Sequence, residues 1–105
     1  KIDVNKQYCY RDSPLMVAAK SGHIEVVRLL LEHPKIDVNE RDSYRDNPLI
    51  FAAKSGQIEV ARLLLQHPEI DVNIKDNWNL TPLQRARRNS HKEVVDLLLS
   101  QGVID

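Results

Sequence analysis

Laid on itself at an offset of 34 residues, the chain brings Pro14, Pro48 and Pro82 into one column, and ordered columns on both sides fall into register. Residues 1–34 and 35–68 agree at 24 of 34 columns, and residues 69–102 agree with the second copy at 13. Chance would give about two or three such matches. A period of this size means that one small supersecondary unit is reused, each copy burying its apolar side against the next. The recurring columns are structural: Pro-Leu, an Ala pair, Glu followed by Val, a Leu-Leu-Leu run, and Ile-Asp-Val-Asn. The chain is therefore read as one domain over residues 1–105, with repeats at about 8–41, 42–75 and 76–105 and residues 1–7 as the tail of a preceding unit.

Each copy reads as two short helices and a turn. The pairs Ser13-Pro14, Asn47-Pro48 and Thr81-Pro82 place a capping side chain before a proline, which costs nothing at the first helical position because its missing N–H has no helical partner there. Ala18-Ala19 and Ala52-Ala53 let this helix approach its neighbours closely, and Gly22 and Gly56 end it by adopting a left-handed conformation. A second helix follows, carrying Ile24, Val26, Val27, Leu29, Leu30 and Leu31 in the first copy and Ile58, Val60, Leu63, Leu64 and Leu65 in the second. That apolar band is too wide for a lone amphipathic helix and requires neighbours on more than one side. Pro34 and Pro68 then stop the helix, and Ile-Asp-Val-Asn leads extended chain into the next turn.

Composition narrows the function. Fifteen basic and fifteen acidic residues cancel, which removes the broad positive field that a nucleic-acid or membrane-surface binder uses to gather its ligand. With 5% aromatic residues, the core has to be aliphatic. The single cysteine, Cys9, has no partner for an internal disulfide, so a cytoplasmic or nuclear location is the expectation. No apolar run approaches the roughly 20 residues that span a bilayer, and the N-terminus does not have the pattern of a signal peptide.

Thr81-Pro82-Leu83, Ala52-Ala53-Lys54-Ser55-Gly56, Val26-Val27-Arg28-Leu29-Leu30-Leu31 and Asp37-Val38-Asn39 together resemble the ankyrin repeat signature, over almost the whole chain. The resemblance implies an all-α solenoid of stacked helix-turn-helix units joined by β-turn or hairpin-like loops. The extra residue over the family's usual 33 fits the loop from His33 to Ile36. The resemblance also implies a module, not itself an enzyme, that binds another protein or peptide on a concave face made by turn tips and first helices. The alternative is the ankyrin part of a larger enzyme or effector whose catalytic domain lies elsewhere.

Carried over column by column, that face contains three rows. Tyr10, Tyr44 and Trp78 form an aromatic row near the turn tips, where small polar residues are usual. They either anchor a partner, as large rings with little rotamer entropy do, or stack to stiffen the turns. Lys20, Lys54 and Arg88, with Ser21, Ser55 and Asn89 beside them, form a basic row suited to an acidic or aromatic-bearing segment. Taken singly, each cation is also what a helix C-terminus favours. Arg11 with Asp12 and Arg45 with Asp46 form the third row, replaced by Asn79 with Leu80 in the last copy. Arginine where the family prefers glycine implies either a strained backbone or a rearranged turn. Asp42 and Asp76 are expected to close the turns by hydrogen bonding.

Chemistry beyond binding finds little support. His23 and His91 share a column with Gln57, so a backbone hydrogen bond near the second helix explains them better than a metal. His33 and His67 precede prolines and, about one helix packing distance of 10 Å apart on neighbouring units, are too far apart to share an ion. Cys9 has no histidine in its column or beside it, and the acidic residues follow the repeat, so no cofactor and no metal are expected. Asn39 and Asn73 lie in a Leu, five residues, Asp-Val-Asn pattern similar to the site that asparagine hydroxylases modify in ankyrin proteins. The simpler expectation is that they bond turn backbone. In the third copy Arg85 and Ala86-Arg87-Arg88-Asn89-Ser90 replace apolar or small residues and are read as the polar face of a C-terminal cap. The first copy has no such conversion, which points to repeats or another domain before it. Arg85, Arg87, Arg88 and Lys92 also form a basic cluster that a nucleic acid could use, a less favoured reading. The isolated chain is expected to be a monomer.

Overall fold

The prolines open helices as the pattern requires. In the computed structural model, which describes residues 3–7 and 12–104, six helices and no strands form among the described residues: α1 Pro14–Lys20, α2 Ile24–Leu31, α3 Pro48–Ser55, α4 Ile58–Leu65, α5 Pro82–Arg88 and α6 Lys92–Ser100. The side chains of Ser13, Asn47 and Thr81 accept hydrogen bonds from the backbone N–H groups of Met16, Ile50 and Gln84. Each such cap is worth about 1 kcal/mol. Thr81 adds the reciprocal bond, its own N–H donating to Gln84 Oε1 at 3.1 Å, which completes a capping box.

Helices of seven to nine residues are too short to persist alone, so stacking holds them. Each repeat folds as a hairpin, α1 on α2, α3 on α4 and α5 on α6. First helices line up as one layer, α1–α3–α5, and second helices as another, α2–α4–α6, in a body 40 Å long and 21–24 Å across. The shared core is aliphatic and small: Leu15, Ala19, Val27, Leu49, Ala52, Ala53, Val60, Ala61, Leu64, Leu83, Ala86 and Leu98 are fully enclosed. Alanine at the layer contacts lets helices approach closely, and the leucines supply the burial energy, about 1.5–3 kcal/mol per enclosed side chain.

One column measures what stacking contributes. Val60 and Val94 are 0% and 1% exposed, whereas Val26, in the same column of the first repeat, is 45% exposed. Val17 and Leu29 are exposed on the same outward side. At the other end the polar residue that closes the stack is Gln84, which occupies the column of the buried Met16 and Ile50. Arg85 does not belong to that outward cap. Its column, shared with Val17 and Phe51, faces the second repeat, and the guanidinium lies 2.8 Å from the Asp76 carboxylate with the side chain 14% exposed.

The linkers differ from the extended chain expected of Ile-Asp-Val-Asn. Asp3, Asp37 and Asp71 each accept a hydrogen bond through Oδ1 from the N–H two residues on, at 2.9, 3.0 and 2.9 Å, so the segment turns through an Asx motif. Asparagine then joins successive linkers. Asn5 donates to Lys35 O and accepts from Asp37 N–H, both at 2.8 Å, and Asn39 does the same with Glu69 O and Asp71 N–H, both at 2.8 Å.

Candidate partner-binding face

The turn tips of repeats 2 and 3 are built alike around one aspartate. Asp42 Oδ1 accepts from the N–H groups of Tyr44 and Asp46 at 2.9 and 3.0 Å, while the Asp42 N–H donates to Asp46 O at 2.9 Å. Asp76 Oδ1 accepts from Trp78 and Leu80 at 2.8 and 3.0 Å, and its N–H donates to Leu80 O at 3.0 Å. The two expected turn-closing aspartates therefore do close their turns, buried as they do so. Closure forces the residue before the last into the left-handed region: Arg45 has φ +65° and Asn79 φ +66°. Of the two readings of arginine at a glycine position, strained backbone is the one realised at Arg45; Arg11 lies outside the described residues.

These turns hold two aromatic rings outward. Tyr44 and Trp78 are 64% and 71% exposed and line a groove of about 330 Å³ together with Asp46, Lys54, Asp76, Asn77 and Arg85. The floor is ionic. Lys54 Nζ is 2.8 Å from Asp46 Oδ2, and Arg85 bonds Asp76 Oδ2 through Nε and Nη2 at 2.9 and 2.8 Å. Lys54 also sits 5.8 Å from the centre of the Tyr44 ring, within cation–π range. One repeat earlier, Lys20 lies 3.1 Å from both Asp12 Oδ1 and Asp42 Oδ2 and 5.8 Å from the Phe51 ring, linking repeats 1 and 2.

Burial and charge set the titration of this floor. For Lys20, burial opposes the charge, but the Asp42 and Asp12 carboxylates outweigh it and hold the pKa above the ordinary lysine value. Burial pushes the Asp46 carboxyl up, and Lys54 only partly offsets it. Asp76 also suffers burial, yet the Leu80 N–H, the Arg85 guanidinium and the Trp78 N–H together bring it below the usual carboxylate value.

Of the aromatic row, Tyr44 and Trp78 flank one groove; Tyr10 lies outside the described residues. In the basic row, Lys20 and Lys54 are ion-paired, whereas Arg88 is exposed and has no ion pair or side-chain hydrogen bond with any described residue. Ser21 and Ser55 are exposed beside them. Asn89 is tied inward, its Nδ2 donating to Lys54 O at 3.0 Å. Asp12 and Asp46 serve as the carboxylates for the lysines, and Leu80 leaves that position apolar. Asn39 is occupied in bridging linkers, while the Asn73 side chain is exposed. Arg85 and Phe51 belong to this face and escaped the column reading. The available signal was that Leu80 and Arg85 both depart from the pattern in the same copy.

His91 Nε2 donates to Lys54 O at 2.9 Å, the backbone role expected of its column. His33 and His67 accept through Nδ1 from the N–H groups of Lys35 and Glu69. Among the described residues no group of histidine, cysteine and carboxylate side chains is arranged to hold a metal ion, and no helix is long and apolar enough to cross a membrane. Arg85 leaves the basic cluster of the last repeat through its pair with Asp76.

Compared with known proteins, the chain matches the family model described as ankyrin repeats (3 copies), over residues 1–76 and again over 46–105. No curated protein matches it.

Proposed function

The chain belongs to the ankyrin repeat family, whose members are generally protein–protein interaction modules, and on that footing we propose that it grips a partner protein on the face where Tyr44 and Trp78 stand. The observation that carries this reading is the pair of rings, 64% and 71% exposed, on turns fixed by buried aspartates above an ion-paired floor. Exposed aromatic area normally costs solubility, and here the backbone that carries it is already fixed, so that only the two rings, with few rotatable bonds each, are left to order on binding. The floor contributes orientation more than affinity, since its charges already satisfy one another.

Affinity capture on the 105-residue chain, read by mass spectrometry beside a Tyr44→Ala/Trp78→Ala version, tests the proposal. A partner retained by the first and lost by the second is expected, with binding weakened by about 2 kcal/mol or more and the helical circular dichroism unchanged. Equal capture by both proteins removes the aromatic face from the function.

A further inference from the structure

The first two repeats supply their own comparison for the third. Lys20 is the last residue of α1 and Lys54 the last but one of α3, and each is neutralised by the aspartate eight residues before it, Asp12 at 3.1 Å and Asp46 at 2.8 Å. Arg88 ends α5 in the same column, but the residue eight before it is Leu80. The repeat's internal counter-ion has been exchanged for an apolar side chain, and Arg88 stands exposed without an ion pair among the described residues. Arg88 also differs from the two lysines in kind: its planar guanidinium is matched to a carboxylate in a way an ammonium is not. A shallow depression of about 570 Å³ surrounds it, lined by Trp78, Asn79, Leu80, Gln84, Arg87 and Arg88. It joins two side chains with apolar surface, Leu80 and Trp78, to two with guanidinium groups, Arg87 and Arg88.

We propose that this depression is the specificity pocket of the binding face, and that it takes a peptide segment carrying a carboxylate side chain next to a large apolar one. The carboxylate takes the place of the missing aspartate on Arg88, and the apolar neighbour packs on Leu80 and Trp78. The inference rests on the proposed binding function and adds the partner's chemistry. It also places discrimination in the third repeat: Lys20 and Lys54, the cations of that column in the first two, are already ion-paired and offer an acidic ligand much less.

Leu80→Asp tests this with little risk to the fold, because it restores the residue type found at positions 12 and 46. A random twelve-residue peptide library displayed on phage is selected on the chain, and the most enriched peptides are measured by fluorescence polarisation. Enriched sequences with Asp or Glu beside Leu, Ile, Phe or Trp are expected. Their affinity should fall at least tenfold in Leu80→Asp and in Arg88→Glu, and a Glu-to-Lys peptide should recover binding to Arg88→Glu. Absence of acidic sequences, including a selection that enriches nothing, overturns the proposal, as does affinity unchanged by Leu80→Asp. If Tyr44→Ala weakens binding while Leu80→Asp does not, the binding face stands and only the acidic pocket is lost. A labelled single-stranded oligonucleotide serves as control; tighter binding of it than of any peptide also overturns the assignment.

Discussion

His91 of the third repeat donates from Nε2 to the backbone carbonyl of Lys54 at 2.9 Å, and its ring thereby covers Gly56. A Cβ built on Gly56 would lie 2.6 Å from His91 Nδ1, whereas one on Gly22, with the same φ of +70°, meets nothing within 4 Å. Gly22→Ala therefore carries only the left-handed backbone penalty, about 1 kcal/mol. Gly56→Ala carries that penalty and also displaces His91, losing its hydrogen bond and some contact between repeats, for a further 1 kcal/mol or so. Urea denaturation of both variants checks the order, and adding His91→Ala should bring the two glycine changes close together. Equal costs in the presence of His91 would mean the ring moves aside freely.

Asparagine 39 offers a similar internal comparison. Both ends of its carboxamide are engaged with the following linker, at Glu69 O and Asp71 N–H, and Asn47 Nδ2 lies 3.4 Å from its oxygen. Asn39→Ala hands those exposed backbone groups to water and should cost about 0.5–1.5 kcal/mol, the net worth of a hydrogen bond. Asn73→Ala, in the same column but exposed, should change stability by less than about 0.5 kcal/mol. Thermal melts of the two variants decide it, and comparable losses would show that the bridge contributes nothing.

Among the described residues, three non-glycine residues hold positive φ: Arg45 at +65°, Asn79 at +66° and Ser90 at +62°. Ser90 occupies the column of Gly22 and Gly56, so Ser90→Gly relieves strain without removing any turn-closing bond. It should stabilise by up to about 1 kcal/mol, raising Tm by about 4–8 °C in a domain near this size. Arg45→Gly should gain comparably, and Asn79→Gly less, because asparagine tolerates the left-handed region better. A fall in Tm for Ser90→Gly would show that the hydroxyl compensates the strain.

Repetition made the fold readable: the columns of Pro14, Leu15, Ala18 and Leu30 recur because each solves the same local problem in each copy. Departures from the repeat are less legible. Arg85 in a valine and phenylalanine column looked like an outward polar cap, but the period does not reveal which side of the stack a column faces. That is set by the hairpin's packing, and the exposure of Val17 identifies it. Likewise, Lys20 and Lys54 read as a free basic stripe because an ion pair eight residues long has no helical spacing to announce it; it depends on how the turn folds back over the helix.

Asp46 and Asp76 line one groove and should respond to acid in opposite directions. Burial raises the Asp46 pKa in the folded state despite Lys54, so between the ordinary aspartate value and that raised value the native state binds more protons than the unfolded chain. Through that window its contribution improves as pH falls and is lost as pH rises. Asp76 is lowered: burial works against its charge, but the Leu80 N–H, Arg85 and the Trp78 N–H overcome it. Its contribution is complete above the ordinary aspartate value and is lost as pH falls through the folded-state value. Asp76→Asn should therefore cost about 1.5–3 kcal/mol at pH 7, the range for hydrogen bonds to a charged acceptor, with the deficit shrinking below pH 3.8. Asp46→Asn should cost less at pH 7, and its deficit should grow as wild-type Asp46 takes up its proton on the way down to 3.8. Urea denaturation midpoints of the three proteins at several pH values between 7 and 3 resolve the two signs, and parallel curves for both variants would contradict the opposed environments.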